Sequence, residues 1–200
     1  KLKEEKCLYI TVSNFSEITT YINDANVKLN EVPSESLGSG HFGTVSLYQD
    51  NDKKYAVKLM PENPINQREI KILLKLPKLP KIPNFTKYNF HDTIDGYDII
   101  GLDYYKNGSI ESYLRSNEYT SLNDTKKKED LKKKYIESLI KGIMALHKNN
   151  IIHCDIAARN VLVNDKGDGC IIADFGLACD LTNPSDYGLR GRDVNKEFNY

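Results

Sequence analysis

The chain has 200 residues with 28 basic and 28 acidic side chains, so its formal net charge is zero. A balanced charge provides no global field pointing to nucleic acid or to a membrane surface, and we expect no nucleic acid as a partner. A hydrophobic fraction of 40% fits a globular chain with a sizeable core.

The positions of the cysteines and the hydropathy of the chain indicate its cellular compartment. The four cysteines, Cys7, Cys154, Cys170 and Cys179, contain no C-x-x-C pair, which argues against a zinc site and favours a reducing, cytoplasmic environment. No apolar run approaches the roughly 18–20 residues of a membrane span. The chain does not begin with methionine, so we expect a fragment of a longer protein.

Residues 1–31 carry weak signals. A β-prone run at 8–12 is followed by a stretch at 18–22 whose pattern is compatible with a short amphipathic helix. These two features could end a preceding domain or lead in from a membrane, and we treat the segment as an N-terminal extension of unknown role.

Strand and turn signals dominate from residue 32 to residue 102. Apolar runs at 47–48 and 55–59 flank a polar stretch and predict a hairpin. Asparagine and proline at 63–64 predict the start of a helix that Pro77 ends. Two further strands are predicted at 85–90 and 97–102.

Helical signals dominate the second half. A short helix is predicted at 109–115, and the lysine-rich run at 126–134 indicates the solvated start of a long one. Its apolar stripe, which we expect to face the core, consists of Tyr135, Ile136, Leu139, Ile140, Ile143 and Met144. Strands are predicted at 161–163 and 170–173. The order of elements predicts a two-lobed α+β chain with a β-rich first lobe.

A glycine-rich turn lies between two predicted strands. Gly38-Ser39-Gly40-His41-Phe42-Gly43-Thr44-Val45 follows the pattern G-x-G-x-x-G-x-V. Glycine lacks a Cβ, so such a backbone can close over phosphates and offer amide donors. A Walker loop would need Gly-Lys-Ser/Thr at its end, and a dinucleotide fingerprint would open a helix. Neither context is present here.

The most informative segment is His153-Cys154-Asp155-Ile156-Ala157-Ala158-Arg159-Asn160, with Asp174-Phe175-Gly176 downstream. It resembles the protein kinases, whose catalytic loop reads H-R-D-x-x-x-x-N ahead of D-F-G. The Ala-Ala-Arg variant resembles the tyrosine-kinase branch, since serine/threonine kinases usually have lysine where this chain has Ala157. The resemblance implies a two-lobed protein-kinase-like fold whose mainly helical second lobe is truncated.

The resemblance also implies a chemistry and its catalytic residues. Asp155 would be the base for the substrate hydroxyl, and Arg159 would approach a phenolic acceptor. Asn160 and Asp174 would hold Mg²⁺. The implied cofactors are ATP and Mg²⁺, and the implied partner is a protein substrate with a tyrosine acceptor.

Lys58 follows Ala56-Val57 on the strand after the glycine turn, and Glu69 is its expected carboxylate partner. In the family such a pair places the lysine on the ATP phosphates. Only eleven positions separate the two residues, which is short for the family. The deficit predicts a helix that begins later than usual and an ion pair that is strained or regulated.

The resemblance places the nucleotide between the glycine turn, the neighbouring strands and a hinge. The implied ATP-binding residues are Leu37, Gly38, Ser39, Gly40, His41, Phe42, Gly43, Val45, Ala56, Lys58, Asp103, Tyr105 and Leu162. Leu102 falls at the gatekeeper position, where its bulk should narrow access to any pocket behind the nucleotide.

These motifs divide the chain into an extension at 1–31 and a kinase domain at 32–200 that is incomplete at its C-terminus. Within the domain, the first lobe spans about 32–102, the hinge 103–108 and the partial second lobe 109–200. Without the family's later helices, the long helix would expose one side of its stripe. We expect the 200-residue fragment not to turn over by itself.

Two positions bear on regulation. Cys154 stands where most regulated kinases have an arginine that pairs with activation-loop phosphate, so we predict a weaker dependence on phosphorylation. Tyr187 is a candidate phosphosite.

The predicted function is a protein tyrosine kinase, cytoplasmic or in the cytoplasmic part of a receptor. A pseudokinase-like binding module and a dual-specificity or serine/threonine kinase remain as alternatives.

Overall fold

The computed structural model describes residues 20–22, 27–40, 43–50, 52–78, 84–94 and 96–183. These residues form two compact units. The first contains the described residues up to Ile70 together with Lys87–Tyr104, and the second contains Lys71–Thr86 and the described residues from Tyr105 onward. The division between Tyr104 and Tyr105 falls inside the predicted hinge.

An antiparallel sheet forms the first unit. Its strands are β1 (Thr20–Ile22), β2 (Val27–Gly40), β3 (Gly43–Asp50), β4 (Lys53–Pro61), β5 (Tyr88–Ile94) and β6 (Tyr97–Asp103). They lie in the order β1-β2-β3-β4-β6-β5. The helix expected around residues 18–22 is wrong for Thr20–Ile22, which pair with β2 as a strand. The predicted hairpin is formed by β3 and β4.

The two faces of this sheet have different roles. One face carries an apolar core of five buried residues, Tyr48, Tyr55, Val57, Phe90 and Ile99. A side chain on Gly101 would overlap the Phe90 ring, so glycine is required there. Because side chains alternate along a strand, Lys58 of β4 lies on the opposite face from Val57.

Helix α1 (Pro64–Lys75) follows β4 after two residues. Asn63 caps it, since its Oδ1 accepts from the backbone N–H groups of Ile65 and Asn66, both at 3.0 Å. Proline at the first helical position has no N–H to satisfy and a suitable φ. The helix therefore begins where Asn63 and Pro64 predict, and a 3₁₀ turn at Leu76–Lys78 follows it.

The described residues of the second unit form three further helices and two small sheets, besides the end of α1. The helices are α2 (Ile110–Tyr113), α3 (Asn117–Thr120) and α4 (Thr125–Lys148), and the strands are β7 (Ile151–Ile152), β8 (Val161–Val163), β9 (Cys170–Ile172) and β10 (Cys179–Asp180). β8 pairs with β9 and β7 with β10, both antiparallel. The strand predicted at 85–90 begins only at Tyr88, because Phe85 instead bridges Ile172.

Helix α4 buries one side of its apolar stripe. Tyr135 is buried and donates to the carbonyl of Gly167 at 2.8 Å, and a Cβ on Gly142 would lie 2.7 Å from Ile172. By contrast, Ile136, Ile140 and Met144 are exposed. The expectation that the whole stripe faces the core is wrong, because positions four apart form one strip that turns away from β8 and β9.

Among the described residues, no helix combines the length and apolar character needed to cross a membrane.

Candidate active site

Glycines close the turn between β2 and β3. Gly40 and Gly43 are cross-strand partners at the end of the hairpin. Gly43 has a φ of +133°, and a side chain there would overlap the carbonyl oxygen of Leu59. The predicted nucleotide residues Leu37, Gly38 and Ser39 are exposed on β2, whereas His41 and Phe42 lie outside the described residues. The described end of β2 beside the turn is thus accessible to a ligand.

Lys58 and Glu69 form a buried ion pair within the first unit. Lys58 Nζ donates to the two Glu69 carboxylate oxygens at 3.0 and 2.8 Å, and the side chains are 8% and 1% exposed. β4 ends at Pro61 and α1 begins at Pro64, so Glu69 lies in the second helical turn. The short interval is accommodated because almost no chain separates strand from helix.

The positions predicted to enclose adenine belong to both units. In the first unit Val45 pairs with Lys58 and Ala56 pairs with Leu102, and all four are neighbours on one face of the sheet. The backbone N–H of Asp103 donates to Lys87 O at 2.9 Å, and its carboxylate accepts from Asn89 at 2.9 Å.

In the second unit, the carbonyl of Tyr105 accepts from Gly108 N at 3.1 Å. Leu162 of β8 is half-buried and bridges Ser109. These contacts order the second half of the predicted hinge and the residue that leads into α2.

Asp155 is held by two neighbours on the same loop. Its carboxylate accepts from Arg159 Nη2 at 2.7 and 2.9 Å and from Asn160 Nδ2 at 2.8 Å. Asn160 Nδ2 also donates to the Asp155 backbone carbonyl at 2.9 Å. The Asp155 side chain is 27% exposed and that of Arg159 is 59% exposed. The carboxylate is therefore fixed in direction and open to solvent, as a base for an external hydroxyl must be.

His153 is a buried support for this loop. It is 2% exposed, its Nε2 lies 2.9 Å from Ala173 O, and Asp155 N donates to its Nδ1 at 3.3 Å. Nδ1 is then the acceptor and Nε2 carries the proton toward Ala173. Burial lowers the pKa of His153 despite the hydrogen bond to Ala173, which favours this neutral form. Its ring packs on Phe175 with the centroids 4.9 Å apart.

Asn160 and Asp174 offer oxygen atoms of the kind that Mg²⁺ prefers. Within the described part of the chain, both hydrogen bonds of the Asn160 side-chain amide are donated by Nδ2, which leaves Oδ1 for a ligand. Asn160 O accepts from Ala173 N at 2.9 Å, beside Asp174. Cys154 and Asp174 have φ values of +62° and +58°. Such left-handed non-glycine residues concentrate at functional sites.

Sequence reasoning did not find one ion pair of the second unit. Lys75, the last residue of α1, pairs with Asp180, the last residue of β10. The two are 105 positions apart, and a lysine in the last turn of a helix is ordinarily a solvated residue. No sequence spacing indicates this contact. The candidate phosphosite Tyr187 lies outside the described residues.

Comparison with known proteins identifies the family. A model of the protein kinase domain matches residues 32–198, which is most of the chain. The chain therefore belongs to the protein kinase family, and the recognition of this family from its motifs is confirmed. The α+β fold, with a sheet-rich first part, one helix and a partial helical second part, is that of a kinase domain.

Relatives of this chain include kinases of both acceptor classes. It is 33% identical over 149 residues to the tyrosine-protein kinase Btk of Drosophila melanogaster, covering 72% of this chain and 18% of the relative. It is 31% identical over 196 residues to the discoidin domain-containing receptor tyrosine kinase B of Caenorhabditis elegans, covering 92% and 22%.

A third relative has the other specificity. The serine/threonine-protein kinase pakG of Dictyostelium discoideum is 33% identical over 160 residues, covering 78% of this chain and 12% of the relative. The chain thus spans less than a quarter of the length of each of these three proteins. Similarity alone assigns the kinase domain without choosing the acceptor.

Proposed function

We propose that this chain is the ATP- and Mg²⁺-dependent catalytic domain of a protein tyrosine kinase. The observation that carries the proposal is the Asp155 carboxylate, oriented by Arg159 and Asn160 and open to solvent. A buried lysine–glutamate pair supports it independently, since Lys58 would contact the ATP phosphates while Glu69 holds it. The domain would occupy residues 32–200, after an extension at 1–31.

The reaction would be an in-line transfer. The substrate hydroxyl attacks the γ-phosphorus of ATP, the bond to the β,γ-bridging oxygen breaks, and ADP leaves. Asp155 orients the hydroxyl and accepts its proton, a role that contributes roughly 10²–10⁴-fold. The glycine turn and the residues around Asp103 and Tyr105 would bind the nucleotide.

The donor set fits magnesium. Asn160 Oδ1 and the Asp174 carboxylate are oxygen ligands, and Mg²⁺ in phosphoryl-transfer sites is held by one or two such groups together with substrate phosphates. Bound there, the ion would offset negative charge on the phosphates. Asn160 would have two tasks, because its Nδ2 orients Asp155 and its Oδ1 would be a ligand for the ion.

The proposal that the acceptor is tyrosine depends on the residues beside Asp155. Ala157 places no cation beside Asp155, and the Arg159 guanidinium is exposed next to the base. An exposed planar guanidinium can stack on a phenol ring. The serine/threonine kinase among the relatives favours the alternative acceptor. We place the domain in the cytoplasm, where its described cysteines Cys154, Cys170 and Cys179 stay outside disulfides.

The test is phosphoryl transfer by the full-length protein that contains this chain. A pool of tyrosine peptides and a pool of serine/threonine peptides are incubated with MgATP, beside an Asp155→Asn control. We expect phosphotyrosine that falls at least about 10²-fold in the control. Phosphoserine or phosphothreonine alone would overturn the acceptor. Nucleotide binding without transfer to either pool would indicate a pseudokinase-like module.

A further inference from the structure

Asp180 is a buried carboxylate whose oxygens are both engaged. Oδ1 accepts from Thr182 N at 3.0 Å and from Thr182 Oγ1 at 2.6 Å, and Oδ2 pairs with Lys75 Nζ. The Asp180 side chain is 7% exposed and that of Lys75 is 48% exposed. An exposed ion pair contributes little to stability. A pair with one partner almost fully buried is screened much less by solvent and salt.

The position of Asp180 connects it to the catalytic loop. Asp180 pairs with Ile151 across the β7–β10 ladder, and Leu181 N donates to Asn150 O at 2.7 Å. β7 leads within three residues to Asp155, and β10 begins five residues after Asp174. Movement of Asp180 would therefore disturb the two strands that flank both candidate catalytic carboxylates.

The position of Lys75 connects it to the candidate phosphate-binding lysine. Lys75 ends α1, the continuous helix on which Glu69 lies six residues earlier. Glu69 is the carboxylate that holds Lys58. A helix is stiff over two turns, so an anchor on its last residue also restricts the turn that carries Glu69.

We propose that Lys75 and Asp180 are positioning residues for phosphoryl transfer, which anchor the end of α1 to the β7–β10 ladder. The proposal rests on the proposed kinase function. Neither residue touches a reacting atom; they act through Glu69 on one side and through the loop of Asp155 on the other. In this structure the anchor coexists with the Lys58–Glu69 ion pair, so its loss is expected to lower activity.

The ionisation of Asp180 is consistent with this role. Burial acts to raise the pKa of its carboxyl, but hydrogen bonds from Lys75 and Thr182 and the Lys75 charge outweigh burial and lower it below its ordinary value. The carboxylate form is therefore the one that the fold stabilises.

The experiment compares four single variants in the full-length protein. Lys75→Met and Asp180→Asn remove the anchor, Lys75→Arg retains its charge, and Lys71→Met changes an exposed lysine one turn earlier on α1. Measured quantities are kcat and KM for ATP, together with hydrogen exchange of the α1 backbone amides. Hydrogen exchange does not depend on catalysis.

We expect Lys75→Met and Asp180→Asn each to lower kcat/KM by about tenfold, and the double variant to be no worse than either single one. Lys75→Arg should stay within about threefold of the parent and Lys71→Met should match it. Exchange of α1 amides should accelerate by at least about fivefold in Lys75→Met and in Asp180→Asn, and should match the parent in Lys71→Met.

Several results would overturn the proposal. One is a Lys75→Met protein with the same kcat/KM as Lys71→Met. Another is a Lys75→Met protein whose α1 amides exchange at the rate of the parent, even if its unfolding temperature is lower. If Asp180→Asn does not fold, the variants of Lys75 still test the proposal, because this side chain is half-exposed. A parent protein that transfers no phosphate would reject the kinase function, while the exchange comparison would still test the anchor.

Discussion

Lys58 Nζ lies 2.8 and 3.0 Å from the two carboxylate oxygens of Glu69, although the two residues are only eleven positions apart. The pair is almost fully buried, so each charge depends on the other for compensation. The expected strain from the short interval is not evident in these distances, because α1 starts directly after β4.

Removing one partner of this pair should destabilise the fold more than removing both. Lys58→Met or Glu69→Met alone leaves an uncompensated buried charge and should lower the unfolding free energy by about 3–5 kcal/mol. The double variant Lys58→Met/Glu69→Met should lose less unfolding free energy than either single variant. Urea unfolding of the four proteins measures the coupling.

The exposed Glu111–Arg115 pair is the matched control for that cycle. Its nitrogen and oxygen are 3.2 Å apart and its side chains are 45% and 78% exposed. Glu111→Gln should lower the unfolding free energy by only about 0.3–0.5 kcal/mol. Strictly additive losses at Lys58 and Glu69 would contradict the coupling.

The two outer positions of the glycine turn should respond differently to the same substitution. Gly43→Ala should lower the unfolding free energy by at least about 2 kcal/mol, because φ is +133° and a methyl group would overlap Leu59 O. At Gly38 nothing lies within 4 Å of an added Cβ. Gly38→Ala should change stability by less than about 1 kcal/mol.

Nucleotide affinity, measured by titration calorimetry with MgATP, separates folding from binding at this turn. If the open backbone at Gly38 is part of the nucleotide site, Gly38→Ala should weaken ATP binding while its urea midpoint stays unchanged. An affinity equal to that of the parent would remove Gly38 from the site.

Acid should weaken the anchor through Asp180. Its folded-state pKa lies below the ordinary value of 3.8, so the unfolded state binds more protons near that pH. The stabilisation is therefore complete above 3.8 and is lost as the pH falls through the lower folded-state pKa. The stability difference between the parent and Asp180→Asn should shrink from about pH 5 to about pH 3. A constant difference over this range would be inconsistent with the pKa shift.

Cys154 is expected to reduce dependence on phosphorylation. The residue is exposed and has a φ of +62°, and its thiol lies 3.6 Å from Ile152 O. A thiol cannot form the bidentate ion pair that an arginine makes with phosphate. Phosphatase treatment should therefore change the activity of the parent by less than about threefold and that of Cys154→Arg by at least about tenfold.

Cys154→Ser is the control for that comparison, since it removes the thiol without adding a charge. It should behave like the parent before and after phosphatase treatment. A Cys154→Arg protein with unchanged phosphorylation dependence would count against the hypothesis.

Local spacing explains why much of the fold could be predicted. Asn63 and Pro64 predict the start of α1 because capping and the fixed φ of proline act over one turn. The β3–β4 hairpin and the short strands β8 and β9 follow from apolar runs separated by turn residues. The candidate catalytic loop is likewise continuous in sequence, so its residue types could be recognised as a motif.

Pairings between distant segments could not be predicted in this way. Thr20–Ile22 become a strand because β2 offers a partner, and Phe85 leaves the predicted strand to bridge Ile172. Ile136 and Leu139 have the same hydrophobic character, yet only Leu139 packs against the tyrosine core of the second unit. Local hydropathy does not specify which side of a helix has a neighbour.

The sequence by itself determined the family, the order of elements and the chemical groups of the candidate site, because these depend on residue types at short, regular spacings. Tertiary structure alone decided the burial of Lys58 with Glu69, the orientation of Asp155 by Asn160, and the contact between Lys75 and Asp180. The physical reason is that burial and long-range ion pairing depend on which surfaces meet, and that is a property of the folded chain.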